Sequence, residues 1–136
     1  MTKNIGLWID RKQAFIVREG AEKPEVIVSK MEPRIRYSGG TRIGGQYNQR
    51  VDSELRYNDR FQHQLREYYQ SVIAAIRDAE NILIFGPGEA KLELEKEIQK
   101  SKPLARRLVK VETADKMTEN QIMAYVRDFY KEMQEA

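Results

Sequence analysis

The chain has 136 residues, with 24 Lys and Arg against 21 Asp and Glu, one histidine and no cysteine. This length suits one domain with a core of its own. The composition excludes disulfide frameworks, thiolate metal sites, cysteine nucleophiles and any site that needs a histidine pair, because His63 stands alone.

Charged residues make up 33% and hydrophobic ones 40%, the balance of a globular chain rather than a disordered one. The net charge of +3 is unevenly placed. Arg34, Arg36, Arg42, Arg50, Arg56, Arg60 and Arg66 face only Asp52, Glu54 and Asp59 across the same stretch. Such a local excess of arginine favours polyanions, nucleic acid above all. The apolar run at 5–9 is too short for a signal peptide or a membrane span, so a cytoplasmic protein without membrane contact is expected.

Three short β-rich runs open the chain. Residues 4–10 alternate Ile5, Leu7 and Ile9 on one face, 13–18 hold Ala14-Phe15-Ile16-Val17, and 25–30 alternate Val26 and Val28. The connections are short and polar, which predicts an antiparallel meander. Trp8, opposite in phase to Leu7 and Ile9, should pack under a helix on the other face.

Residues 31–50 break every periodicity, with Pro33, Gly39-Gly40 and Gly44-Gly45. So long a stretch without periodicity in a compact domain is typically functional or disordered. From 51 to 79 the positions Val51, Leu55, Asn58, Phe61, Leu65, Tyr69, Val72, Ile73 and Ile76 trace the stripe of one long helix. A continuous apolar strand follows at 81–85, ended by Gly86-Pro87-Gly88, and then a helix at 89–101 stopped by Pro103. A fifth strand at 108–112 precedes a capping box, Thr118-x-x-Gln121, which opens the last helix. The order βββ-α-β-α-β-α predicts a single α/β domain over 1–136. It would be a five-stranded mixed sheet of ribonuclease H-like topology flanked by three helices.

The most informative residues are Gly44-Gly45-Gln46. Such a triplet arises by chance roughly 0.03 times in a chain of this composition. Here it lies in the one long loop, among arginines and just before the long helix. Two glycines admit positive φ and bring backbone close to a ligand, and the exposed N–H groups can donate to a developing oxyanion or place a water.

At these residues the chain resembles the middle domain of the class-I release factors of eukaryotes and archaea, which carries a Gly-Gly-Gln loop before a long arginine-bearing helix. The resemblance continues through Ile82-Leu83-Ile84-Phe85-Gly86-Pro87-Gly88-Glu89-Ala90-Lys91 and Val111-Glu112-Thr113-Ala114-Asp115. The chain is also similar to a bacterial group of small stand-alone proteins known as translational machinery proteins. These share a Leu-Trp-Ile-Asp start and a Gly-Pro-Gly-x-Ala-Lys-Leu-Glu-Leu segment, though their loop does not always keep Gly-Gly-Gln.

The resemblance implies a ribosome partner, ribosomal RNA and peptidyl-tRNA, with no cofactor and no metal. Gly44 and Gly45 would set the backbone, and Gln46 would hold the water that attacks the peptidyl-tRNA ester. Arg42 and Arg50 would touch RNA phosphates, and Arg34, Arg36, Arg56 and Arg60 would extend the RNA-binding surface. The codon-reading and GTPase-binding domains of the release factors have no counterpart here. The expectation is therefore a stand-alone module acting in rescue or protection of ribosomes, with peptidyl-tRNA hydrolysis as a secondary expectation.

Two other classes compete. One is a non-catalytic interaction module that kept the fold, for which a homo-oligomer is the natural assembly. The other is a metal-dependent nuclease, for which Asp10 and Glu54 would supply carboxylates but the end of the fourth strand offers no third acid. Asp10 reads more simply as a turn residue. Gly86-Pro87-Gly88 reads as a tight turn, since no Gly-Lys-Ser/Thr completes a phosphate loop, and Lys91 reads as solvated. Tyr47, Tyr57, Tyr68 and Tyr69 interleave with the arginines and are candidates for stacking on bases, with ordinary core as the plainer reading. His63 falls on a solvated helix face, and Met117, Met123 and Met133 fill the core.

Overall fold

The structure is a computed structural model that describes residues 3–29 and 47–135, and side chains at 3–29 and 59–134. Five strands form one mixed sheet in the order β3-β2-β1-β4-β5. β1 (Asn4–Ile9), β2 (Gln13–Arg18) and β3 (Glu25–Val28) make the antiparallel meander. β4 (Asn81–Gly86) lies parallel to β1, and β5 (Leu108–Thr113) parallel to β4. Four helices complete the domain: α1 (Tyr47–Ala75), α2 (Ala90–Gln99), the short α3 (Lys102–Ala105) and α4 (Glu119–Glu135).

The alternation in β1 divides the sheet into two faces. Ile5, Leu7, Ile9, Ile16, Ile82 and Ile84 face α1 and α2. Trp8, Val17, Leu83 and Phe85 face α4, where Ile122, Val126 and Tyr130 cover them. The indole Nε1 of Trp8 donates to the Asp115 carbonyl oxygen at 3.2 Å, so the ring is packed and its polar edge satisfied. Met117, Met123 and Met133 pack against the same cluster. Gly6 permits the close approach of α4. A Cβ there would stand 2.7 Å from Val126 Cγ1 and nearer still to Cγ2. The capping box forms as its spacing predicts: the Thr118 amide donates to Gln121 Oε1 at 2.9 Å, and the Gln121 amide to Thr118 Oγ1 at 3.2 Å.

The helix boundaries move. α1 begins at Tyr47, not Val51, because nothing after Gly45 opposes helix. It ends at Ala75, not Ala79. Ile76 and Ala79 continue the buried stripe, but the backbone has tightened into turns with bonds from the Ile76 amide to Ile73 O and from the Ala79 amide to Ile76 O. Two arginines cap this end. Arg18 Nη2 donates to Ala75 O at 2.7 Å, and Arg107 Nη1 donates to Arg77 O at 2.9 Å and Ala79 O at 3.1 Å. They bring positive charge to carbonyls left open at a helix C-terminus. Pro103 does not simply stop α2. After Ser101 turns the chain to extended backbone, the proline sits in the first turn of α3, where its missing N–H costs nothing.

Three tyrosines are buried with their hydroxyls bonded. Tyr130 donates to Ile5 O at 2.6 Å, Tyr68 to Asp10 O at 2.9 Å and Tyr69 to Glu93 Oε1 at 2.7 Å. Burial, reinforced by Asp10 at Tyr68, Glu93 at Tyr69 and Glu19 at Tyr130, pushes all three phenols well above their ordinary range. A folded-state value above the unfolded value of about 10 gives stability that is fully present below that pH and lost as pH rises past it. Titration followed by phenolate absorbance should show these three groups ionising only together with alkaline unfolding. Ordinary midpoints for all the tyrosines of the folded protein would contradict this.

Candidate functional site

α1 has 29 residues, about 43 Å at 1.5 Å per residue, whereas a six-residue strand spans about 20 Å. Among its described side chains the buried ones, Leu65, Tyr68, Tyr69, Val72 and Ile73, lie toward the C-terminal end. By length the helix exceeds a strand of the sheet by roughly 20 Å. Gly44-Gly45-Gln46 immediately precedes Tyr47, the first residue of this helix.

The C-terminal part of α1 is braced from two sides. Asp10 ends β1 in a turn, its Oδ1 accepting from the Lys12 amide at 2.7 Å and the Gln13 amide at 2.8 Å. Tyr68 grips the carbonyl of that turn residue. Arg11 reaches α2 in a two-pronged pair, Nε to Glu93 Oε1 at 3.2 Å and Nη2 to Oε2 at 3.0 Å. Tyr69 donates to the same carboxylate, and the Arg11 guanidinium lies 6.0 Å from the Phe61 ring centre. The bond to Glu93 raises the Arg11 pKa further, so this charge is fixed at all working pH. One turn, one arginine and one glutamate thus hold α1 against both β1 and α2.

Glu93 is the hub of this brace. Glu93→Ala should cost about 1–3 kcal/mol, because the buried Tyr69 hydroxyl and the Arg11 fork lose their common acceptor. The check is a shift in the urea midpoint. In a cycle with Arg11→Ala the two losses should add to less than their sum, and strict additivity would contradict the shared role.

Of the residues expected at the site, Gly44, Gly45, Gln46, Arg34, Arg36 and Arg42 lie outside the described residues. Arg50 belongs to α1 and not to the preceding loop, and Arg56 follows on the same helix; their side chains lie outside the described ones. Arg60 and Arg66 are exposed on α1. Tyr68 and Tyr69 follow the plainer of their two readings: they are core residues, 3% exposed and held in the brace, and not free to stack on bases. The side chains of Tyr47 and Tyr57 are not among those described. Lys91, expected to be solvated, is instead 5% exposed, with Nζ donating to the Gly88 carbonyl in the turn before the helix. His63 is solvated and pairs with Glu67 one turn on, at 2.9 Å. Among the described residues no group of three or more acidic or histidine side chains is placed to hold a metal ion, and no helix is long and apolar enough to cross a membrane.

The fold is a single α/β domain in which this brace ties one long helix to the sheet and to α2. Among solved structures the chain is similar to an archaeal translation termination factor, aRF1, with 15% identity and a TM-score of 0.42. The match covers 97% of this chain and 40% of that one, so the chain spans about two-fifths of the factor's length. No family model matches the chain, and neither does any curated protein.

Proposed function

We propose that the chain binds the ribosome and presents Gly44-Gly45-Gln46 to the peptidyl-transferase centre, where the triplet promotes hydrolysis of peptidyl-tRNA. The observation that carries this reading is the position of the triplet. It lies among arginines and directly before the first residue of a long helix whose C-terminal part is bonded to β1 and α2. A reactive tip needs a fixed bearing, and a helix braced in this way supplies one.

In this reading water attacks the ester carbonyl carbon that joins the peptide to the terminal ribose. The peptide leaves as a carboxylic acid and the ribose oxygen takes the proton. Backbone N–H groups at the two glycines face the oxygen on which negative charge grows, and Gln46 orients the water. No side chain has to accept a proton at its own pKa, which suits a chain with one histidine, itself solvated and paired. Arg42 and Arg50 hold RNA phosphates beside the tip.

The test is co-sedimentation with purified ribosomes at low salt. The parent protein should pellet with them, and Arg42→Glu with Arg50→Glu should abolish pelleting. A parent protein that stays in the supernatant would end this reading.

A further inference from the structure

We propose that the basic corner at the C-terminal end of α1 is a second contact for RNA backbone phosphates, remote from the Gly-Gly-Gln tip. It extends the ribosomal-RNA reading above, and it stands on residues that reading does not use.

The corner is assembled from pieces far apart in sequence. The end of α1, the end of α2 and the short α3 enclose an open groove of about 500 Å³, lined among others by Arg77, Glu97, Lys100, Leu104 and Arg107. Lys102 and Arg106 stand on α3 and its C-cap, one turn apart. Arg77, Lys100 and Arg107 line the groove, with Glu97 the one acid in the lining, and Lys102 and Arg106 are exposed on the neighbouring turn.

Two of the local acids are occupied, whereas Glu80 is exposed and makes no ion pair among the described residues. Glu97 pairs with Lys100 at 3.0 Å, and Asp78 is held by Arg18 at 3.2 Å and Lys3 at 3.6 Å. Arg107 caps α1. Arg77, Lys102 and Arg106 are exposed and make no ion pair or side-chain hydrogen bond among the described residues. Three unneutralised cations held together by a folded corner repel one another, and that repulsion is relieved by a polyanion.

RNA fits better than a membrane surface. Among the described residues the exposed large apolar ones are Val26, Val28, Leu92 and Val109, none of them in the corner, so the corner offers no such side chain to a lipid layer. Arginine forks and a polar groove suit phosphodiesters, which they can grip without reading sequence. The corner lies roughly 40 Å along α1 from Tyr47. Two phosphate contacts at opposite ends of one rigid helix would fix its direction as well as its position, which a single contact cannot do.

The experiment measures binding of a short fluorescent RNA duplex by anisotropy, at several salt concentrations from about 50 to 200 mM. The variant is Arg77→Glu with Lys102→Glu and Arg106→Glu. Arg107 is left intact because it caps α1. The thermal transition of the variant should match that of the parent, and an Arg77→Gln, Lys102→Gln, Arg106→Gln version gives a milder check.

The expected result is at least about a tenfold loss of duplex affinity, with the slope of log affinity against log salt reduced by about 2 to 3. Unchanged affinity and slope would overturn the proposal. Loss of binding to phosphatidylserine vesicles with RNA binding intact would also overturn it, and would assign the corner to an anionic membrane surface. Ribosome co-sedimentation separates the two readings. If the corner variant pellets as the parent does and only the Arg42, Arg50 variant fails, the ribosome reading stands and the corner falls. If the parent never pellets but the duplex slope still drops in the corner variant, the corner stands and the ribosome reading falls.

Discussion

Gly45→Ala is expected to slow release of a labelled peptide from ribosome-bound peptidyl-tRNA by about 10²- to 10³-fold while ribosome co-sedimentation persists. The size follows from the role assigned to the tip. Loss of a backbone donor aimed at a developing oxyanion typically costs that much, and a Cβ at a glycine that must approach its ligand closely displaces the donor. Arginine contacts to phosphate are untouched, so binding and rate should separate. Gln46→Ala should slow release as well. If the parent protein binds ribosomes and releases no peptide, the chain is a blocking factor and the catalytic part of the proposal is wrong.

The second large effect lies in the frame. Gly86 ends β4 with φ of +153°, a backbone conformation that L side chains rarely adopt. A Cβ there would stand 3.1 Å from the Ile9 amide nitrogen and closer still to its carbonyl oxygen. Both are backbone atoms of the adjacent parallel strand and cannot swing aside. On its other flank Gly86 pairs with Thr113 and its carbonyl accepts from the Ala114 amide at 3.0 Å, so the residue is pinned between β1 and β5. Gly86→Ala should therefore cost about 3 kcal/mol or more, adding overpacking to backbone strain, out of a total of roughly 5–15 kcal/mol. Gly88 is the control. Its φ is +65°, but a Cβ there meets nothing within 4 Å, so Gly88→Ala should cost only about 1–2 kcal/mol. Equal losses at the two glycines, read from urea midpoints, would show that crowding against Ile9 does not matter. The consequence reaches the brace, because Ile9 leads directly into Asp10, whose carbonyl Tyr68 holds.

Much of this frame was legible in the sequence because its signals are local. The alternation of Ile5, Leu7 and Ile9 placed Trp8 on the opposite face, and the apolar run at 81–85 marked a strand buried on both sides. Thr118 and Gln121 announced a helix start, and Asp10 a turn. The differences from expectation have separate causes. Tyr68 and Tyr69 take the plainer core reading, but their acceptors, the Asp10 carbonyl and Glu93, are brought to them only by the fold. Lys91 reads as solvated because its acceptor is created by the turn at Gly88. The end of α1 was overrun because Ile76 and Ala79 remain buried after the helix has ended, and burial was the only signal in hand. The basic corner is not legible along the chain, since Arg77 is separated by more than twenty residues from Lys100 and Arg107. Charge counting along the chain found the excess at Arg34–Arg66, whereas the corner exists only in three dimensions. At the site itself, the sequence supplied the triplet and its arginines, and the fold adds the braced helix that follows them.

Chemical footprinting of ribosomal RNA is the most direct test of the central claim. Bound protein should protect nucleotides of the peptidyl-transferase centre, and the protection should vanish with Arg42→Glu and Arg50→Glu. Protection confined to other regions of the ribosome, with the peptidyl-transferase centre as reactive as in its free state, would contradict the account.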